Sequence, residues 1–299
     1  MNAAAPIRIL LAGANGQLGL DLARRAAETD GVELHARGRD TLDITDAAAV
    51  QQAVEAVRPD WVINAAAYTA VDRAESEPEA AFAVNRDGAA NLARAAATQG
   101  ARMLQVSTDY VFDGELGRPY RPNDTPNPIN VYGESKLAGE RAVDAALGDH
   151  ALILRTAWVY AAHGQNFLRS MLRLMAEREE LGVIEDQIGT PTSTLGLAET
   201  VLAAVRQGLT GTHHWTDAGV ASWYDFAVAI RDEAHALGMD TARCRIRPIS
   251  WEEYPTAARR PANSRLDKST LREQLGRPGA PWRDALRSTL GRIPGSSPA

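Results

Sequence analysis

Cysteine is nearly absent from this chain of 299 residues, and phenylalanine is scarce at four. With Cys244 alone, an intrachain disulfide and a thiolate metal cluster are both excluded. No apolar run approaches the length needed to span a bilayer, which argues against a membrane protein. Positive charge is short too: 32 Lys and Arg face 38 Asp and Glu, for a formal net charge of −6. Non-specific nucleic-acid binding needs a basic face, so that class is set aside. The opening MNAAAPIRILLAGANG lacks the basic region and long apolar stretch of a secretion signal, which predicts a cytoplasmic protein. The final PGSSPA reads as a frayed tail. What is present, 45% hydrophobic and 23% charged residues, is the balance of a globular chain. The length suits one large α/β domain or two linked subdomains.

Strand and helix signals alternate from the start. IRILLA (7–12), VELHAR (32–37), WVINAAA (61–67), RMLQVST (102–108) and ALILRTAWVY (151–160) read as strands. Helical spacing fills the gaps over 17–28, 45–57, 77–99 and 131–147, with Thr45 or Asp46 as a cap and a bend expected near Gly88. This order predicts a parallel sheet covered by helices on both faces, with right-handed crossovers. After Tyr160 the pattern loosens. Helices are expected at 166–180, 194–206, 223–237 and 268–275, with short extended pieces at GVIED and CRIRPI between them. The resulting division is 1–160 for nucleotide binding and 161–299 for substrate, with some chain crossing and a cleft between.

The first strand runs into GANGQLG, where Gly13, Gly16 and Gly19 precede and enter a helix through Gln17 and Leu18. A glycine turn lets the backbone approach a pyrophosphate, and the helix start offers free N–H groups and a positive dipole end. The spacing departs by one residue from G-x-G-x-x-G. The second strand ends His35-Ala36-Arg37-Gly38-Arg39, with arginines rather than a carboxylate at the tip. Guanidinium groups suit a 2′-phosphate, so NADPH is preferred over NADH, with Arg37 first and Arg39 second. Asp43 and Ile44 could flank the adenine, and Ala67, Tyr68 and Thr69 end the third strand at the cofactor edge.

NVYGESK places Tyr132 and Lys136 four residues apart, hence on one helix face. Reduction of a ketone by hydride needs a proton for the developing alkoxide. Tyr132 is a suitable acid if the ammonium of Lys136 lowers its pKa from about 10. Thr108, at the end of the fourth strand, can donate to the carbonyl oxygen.

GANGQLG, STDYVFDG and YGESK, in this order and spacing, resemble the extended short-chain dehydrogenase/reductase family. NAAAYTAVDRAESEP, LRTAWVY, DQIGTPT and RPANSRL extend that resemblance over nearly the whole chain, towards the members that reduce deoxysugar nucleotides. It implies a Rossmann-type doubly wound parallel sheet with a smaller mixed α/β C-terminal part. It implies NADPH-dependent reduction of the C4 ketone of a thymidine-diphosphate-linked sugar. Tyr132, Lys136 and Thr108 would be catalytic, with Lys136 also on the nicotinamide ribose. Asp109 and Trp158 would contact the sugar nucleotide, with Gln187, Thr192, Arg260 to Asn263 and Arg265 as further candidates for its nucleotide and diphosphate. The resemblance also raises magnesium, for which the sequence places no ligands, and leaves a homodimer open. Two other readings stand beside it: an epimerase or dehydratase of the same fold, and a non-catalytic NADP-binding regulatory subunit of a methionine adenosyltransferase. His213-His214 would point to opposite sides of a strand, which disfavours a shared ion. Glu177 to Glu180 reads as a solvated charge cluster, and Cys244 as packing.

Overall fold

The computed structural model describes residues 5–293. The expected tail lies outside the described residues. Strands β1 (Ile7–Ala12), β2 (Val32–Arg37) and β3 (Trp61–Asn64) alternate with helices α1 (Gln17–Ala27) and α2 (Ala47–Val57). Then follow α3 (Val71–Ala74), α4 (Pro78–Phe82), a π-helical turn at Ala83–Gly88, and α5 (Ala89–Thr98). Strand β4 (Arg102–Thr108), helix α6 (Val131–Leu147) and strand β5 (Ala151–Thr156) complete the regular alternation.

Beyond β5 the elements shorten. They are β6 (Val159–Tyr160), α7 (Phe167–Glu177), β7 (Glu180–Ile184), β8 (Ile188–Gly189), β9 (Thr192–Ser193), α8 (Thr194–Gln207) and β10 (Gly211–His214). After these come β11 (Ala221–Ser222), α9 (Trp223–Ala236), β12 (Arg245–Ile249), α10 (Ser269–Leu275) and α11 (Trp282–Leu290).

The main sheet has six strands in the order β10-β5-β4-β3-β1-β2. Every pairing in it is parallel. Alternate residues of β1 serve opposite faces, as strand geometry requires. Ile9 and Leu11 meet Leu18 and Leu22 of α1 and Leu197 and Val201 of α8. Leu10 meets Val50 and Val54 of α2, Leu92 of α5 and Val143 of α6. Burial on both faces explains why these strands read as continuous apolar runs. A separate core joins α7, α9, α11 and the parallel pair β7–β12 through Leu168, Phe226, Ile230 and Leu286. Residues after 160 also return to the main sheet: α8 lies against α1, and β10 is an edge strand.

Several boundaries differ from the sequence expectation. β3 stops at Asn64 because that side chain turns back: its Oδ1 accepts from the Ala66 N–H at 3.0 Å and its Nδ2 donates to Gln105 at 2.8 Å. β5 stops at Thr156, and Val159–Tyr160 pairs instead with Thr192–Ser193. The helix expected over 77–99 is three pieces, with the π turn where the bend was placed. The helix expected at 166–180 ends at Glu177, and Glu180 begins β7. Among the described residues no helix is long and apolar enough to cross a membrane.

Candidate active site

The glycine turn is shaped by what lies behind it. Gly13 has φ 85°, and a Cβ there would sit 2.4 Å from the Ala66 amide nitrogen. A Cβ on Gly19 would sit 2.2 Å from the Gly13 carbonyl oxygen, so α1 rests directly on the turn. The Gly13 and Ala14 amides both donate to the Arg37 carbonyl at 3.0 Å, joining the turn to the end of β2. Gly16 caps α1 without a side chain, which leaves the first-turn amides facing outward for an anion. These features fit the pyrophosphate of a dinucleotide.

Gln17 and Leu18 offer only backbone. Leu18 is in the core. The Gln17 side chain donates to the Gln165 carbonyl at 3.3 Å and accepts from Asn166 Nδ2 at 2.7 Å, while its own carbonyl bonds His163 Nε2 at 3.1 Å. That clasp joins α1 to the loop that leads into α7.

At the β2 tip, Arg37 donates only to the neighbouring Ala36 carbonyl, at 3.2 Å, so no carboxylate holds its guanidinium. The tip is not free of carboxylates, however. Asp40 accepts from Asn15 Nδ2 of the glycine turn at 3.0 Å. No local pattern announces this pair, since the chain has to fold back before Asp40 meets the turn. Asp43 is taken up by Thr45, whose N–H and hydroxyl donate to it at 2.9 and 2.8 Å and hold its carboxyl below the usual range. Ile44 is buried, with its side chain against Gly88 and its carbonyl accepting from Asn91.

Past β3, Ala67 to Thr69 run along the same edge. Tyr68 is fixed at its backbone by Asn85 of the π turn: its N–H donates to Asn85 Oδ1 at 2.9 Å, and its carbonyl accepts from Asn85 Nδ2 at 3.1 Å. Asn85 Nδ2 also donates to Ser135 at 2.9 Å, and Ser135 donates to the Tyr132 carbonyl at 2.8 Å. A chain of hydrogen bonds thus joins the cofactor edge to the helix that carries Tyr132. Sequence reasoning missed Asn85. The widened turn that points it inward follows from close packing: a Cβ on Gly139 of α6 would sit 2.1 Å from the Asn85 carbonyl oxygen.

Helix α6 begins where Asn130 Oδ1 accepts from the Gly133 N–H at 2.8 Å. Gly133 presses on the Tyr110 carbonyl, where a Cβ would lie 2.2 Å away. The first turn therefore sets Tyr132 beside Tyr110, ring edge to face at 5.5 Å, and within reach of the Thr108 hydroxyl. The structure brings the half-buried Tyr132 together with the buried Thr108 and Asp109, while Lys136, buried one helical turn further along, turns its ammonium to β4.

The expected electrostatics need correction. Burial pushes the Tyr132 phenol up to about 12, against a smaller lowering by Thr108 and with a further push from Asp109. Lys136 is not the cation that tunes it here: its Nζ donates to the Val106 carbonyl at 2.7 Å. Burial draws Lys136 itself down to about 8, opposed by Glu140. The phenol therefore holds its proton at neutral pH, as an acid must. Asp109 is fully buried, and desolvation lifts its carboxyl to about 7. Its Oδ1 accepts from Thr108 at 3.0 Å, while Oδ2 and the nearby Ser264 hydroxyl lack well-formed partners.

Trp158 follows β5 with φ 50°, a strained backbone for a bulky residue. Its indole stacks on Trp223 at 3.6 Å and 7°. Gly189 passes so close that a Cβ would lie 2.6 Å from the Trp158 ring. Gln187 and Thr192 are buried, and the Thr192 amide donates to the Trp158 carbonyl at 3.1 Å. The segment 256–267 straps across this region. Arg260 pairs with Asp72 of α3 at 2.8 Å, and Asn130 Nδ2 donates to the Arg259 carbonyl at 2.8 Å. Asn263 donates to the carbonyls of Leu116 and Arg118, and Arg265 bonds Asn263 and Gly117. The two arginines expected at a diphosphate thus carry protein partners.

Among the described residues no group of three or more His, Cys, Asp or Glu side chains is placed to hold a metal ion. His213 bonds the Thr210 carbonyl and His214 the Tyr120 carbonyl. Cys244 is buried, and burial raises its thiol.

Comparison with known proteins is consistent with this site. The family model described as RmlD substrate binding domain matches residues 7–293. A dTDP-4-dehydrorhamnose reductase of Sinorhizobium fredii is 42% identical, covering 94% of this chain and 96% of that protein. The reductase of the same name from Escherichia coli K12 is 40% identical, over 96% and 98%. A crystal structure of dTDP-4-dehydrorhamnose reductase from Bacillus anthracis, in complex with NADP, superposes with a TM-score of 0.89 at 38% identity, covering 95% of this chain and 98% of that one.

Proposed function

The chain belongs to the family of the RmlD substrate binding domain, and from that premise we propose that it reduces the C4 ketone of dTDP-4-dehydro-L-rhamnose to dTDP-L-rhamnose with NADPH. The product is a precursor for surface polysaccharide, and the cytoplasm is the compartment this chemistry calls for. The observation that carries the reading is the placement of the Tyr132 phenol within reach of Thr108, on a helix whose Tyr132 carbonyl is joined through Ser135 and Asn85 to the backbone of Tyr68.

The residues divide the work. The amides after Gly16 would hold the pyrophosphate, and Arg37 a 2′-phosphate. Lys136 would bond the nicotinamide ribose. NADPH, when bound, supplies the hydride. Thr108 donates to the ketone oxygen, and Tyr132 gives that oxygen its proton as charge builds there. An alkoxide is far more basic than a phenolate, so a phenol near 12 transfers its proton downhill. Asp109 would bond a sugar hydroxyl through its open oxygen, and Trp158 would pack on a flat face of the substrate.

Mixing the protein with NADPH and dTDP-4-dehydro-L-rhamnose should remove NADPH absorbance and yield dTDP-L-rhamnose. Conversion without added reductant, by protein that purifies with bound NAD, would replace this reading with an epimerase or dehydratase. Arg37→Ala should raise the KM for NADPH while leaving that for NADH unchanged. An unaltered ratio would remove Arg37 from the 2′-phosphate.

A further inference from the structure

We propose that Glu140 and Arg155 are positioning residues for this reduction: their buried ion pair, tied to Ser107, fixes α6 against β4 and β5 and keeps a negative charge behind the Lys136 ammonium. The inference rests on the reading that Tyr132 and Lys136 serve the chemistry.

Glu140 lies one helical turn beyond Lys136 and two beyond Tyr132, on the same face of α6. Arg155 grips it with two parallel bonds, Nε to Oε1 at 2.9 Å and Nη2 to Oε2 at 2.7 Å. The two side chains are only 5% and 6% exposed. Ser107, next in chain to Thr108, donates to Glu140 Oε1 at 2.5 Å. Arg155 also donates to the Pro122 carbonyl at 3.2 Å and lies over the Phe112 ring at 5.1 Å. One cluster therefore joins β4, β5, α6 and the loop that precedes the cap of α6.

The charges around it are few. His214 of β10 stands 3.5 Å from Arg155, but burial and that guanidinium draw its ring down to about 3, so it is neutral. Asp109 acts from the other side, on Tyr132. Glu140 is the charge that favours protonated Lys136 against the cost of burial. An apolar pair of equal volume could hold the helix as firmly, because the desolvation of a buried ion pair cancels much of its attraction. Only the ion pair places a charge under Lys136.

That difference gives the test. In Glu140→Met/Arg155→Met the pair is replaced by apolar volume, and folding is read by melting and near-ultraviolet dichroism. The expected result is a folded protein with kcat lowered about tenfold or more at neutral pH, little change in KM for the sugar nucleotide, and an alkaline limb of the rate profile moved down by about one pH unit. Ser107→Ala should move the profile in the same direction by less. A folded double variant with wild-type kcat and an unmoved profile overturns the proposal. If the double variant melts below assay temperature, Glu140→Gln, read for the same shift, decides in its place. A wild-type protein that does not reduce the ketone overturns the proposed function itself, and the inference falls with it.

Discussion

Two regions meet at the site, and they are built differently. The floor, made of β4, β5 and α6, is buried and cross-linked by charge: Glu140 and Arg155 are almost fully enclosed. The strap over it, 256–267, buries Ala258, Ser264 and Leu266 but keeps its charged groups nearer the surface. Its ion pairs lie at the surface: Arg260 with Asp72, whose carboxylate is 46% exposed, and Asp267 with Arg121 at 4.0 Å. Its other ties are hydrogen bonds, from side chain to backbone and from backbone to backbone, such as the Tyr120 N–H to the Arg265 carbonyl at 2.8 Å. Buried groups in a floor can be set to fixed ionisation, whereas a half-exposed latch is screened by solvent and contributes little to stability. The floor thus suits chemistry, and the strap suits retention of a ligand that has to come and go.

Substitutions should separate the two. Tyr132→Phe removes the floor's proton donor and should lower turnover by about a hundredfold to ten-thousandfold, with melting temperature nearly unchanged. Near-normal turnover on purified 4-keto sugar nucleotide would remove Tyr132 from its role. Asp109→Asn should trade function for stability. The folded state holds the Asp109 proton up to about pH 7, whereas the unfolded chain releases it near 3.8. Stability from that proton is full below the unfolded value and is lost as pH rises through the folded one. The variant lacks this titration, so it should gain on wild type by roughly a few kcal/mol between about pH 4 and pH 8 in urea melts. A gain that does not vary with pH would show that Asp109 is not held protonated. Asp72→Asn, in the strap, should have the smallest effect: a several-fold rise in KM for the sugar nucleotide, unchanged kcat, and a stability loss below about 1 kcal/mol. A large loss of kcat would erase the contrast between floor and strap.

The legible parts of the molecule were those written in local spacing. Alternating strands and helices, the glycines of the turn, and Tyr132 with Lys136 at one helical turn follow from periodicity and backbone sterics. Contacts between distant residues were not legible. Nothing near Asn85 announces that it will bond Tyr68 and Ser135, and nothing near Asp40 announces Asn15. The acidity of Tyr132 is not written in a spacing of four residues, which places two groups on a face without saying what each will bond; here the Val106 carbonyl takes the ammonium. One overlooked signal was present. Arg155 interrupts the apolar run Ala151 to Leu154, and a charge inside a buried strand demands a partner.

The clasp at Gln17 has a further consequence. The residue that opens the first helix also grips the approach to α7, so the glycine turn and the C-terminal part of the chain share one knot of three hydrogen bonds. Whatever stiffens the phosphate loop will stiffen the start of α7 as well. If a dinucleotide binds that turn, as proposed, loading it first would also firm the approach to α7, giving the two reactants an order of arrival.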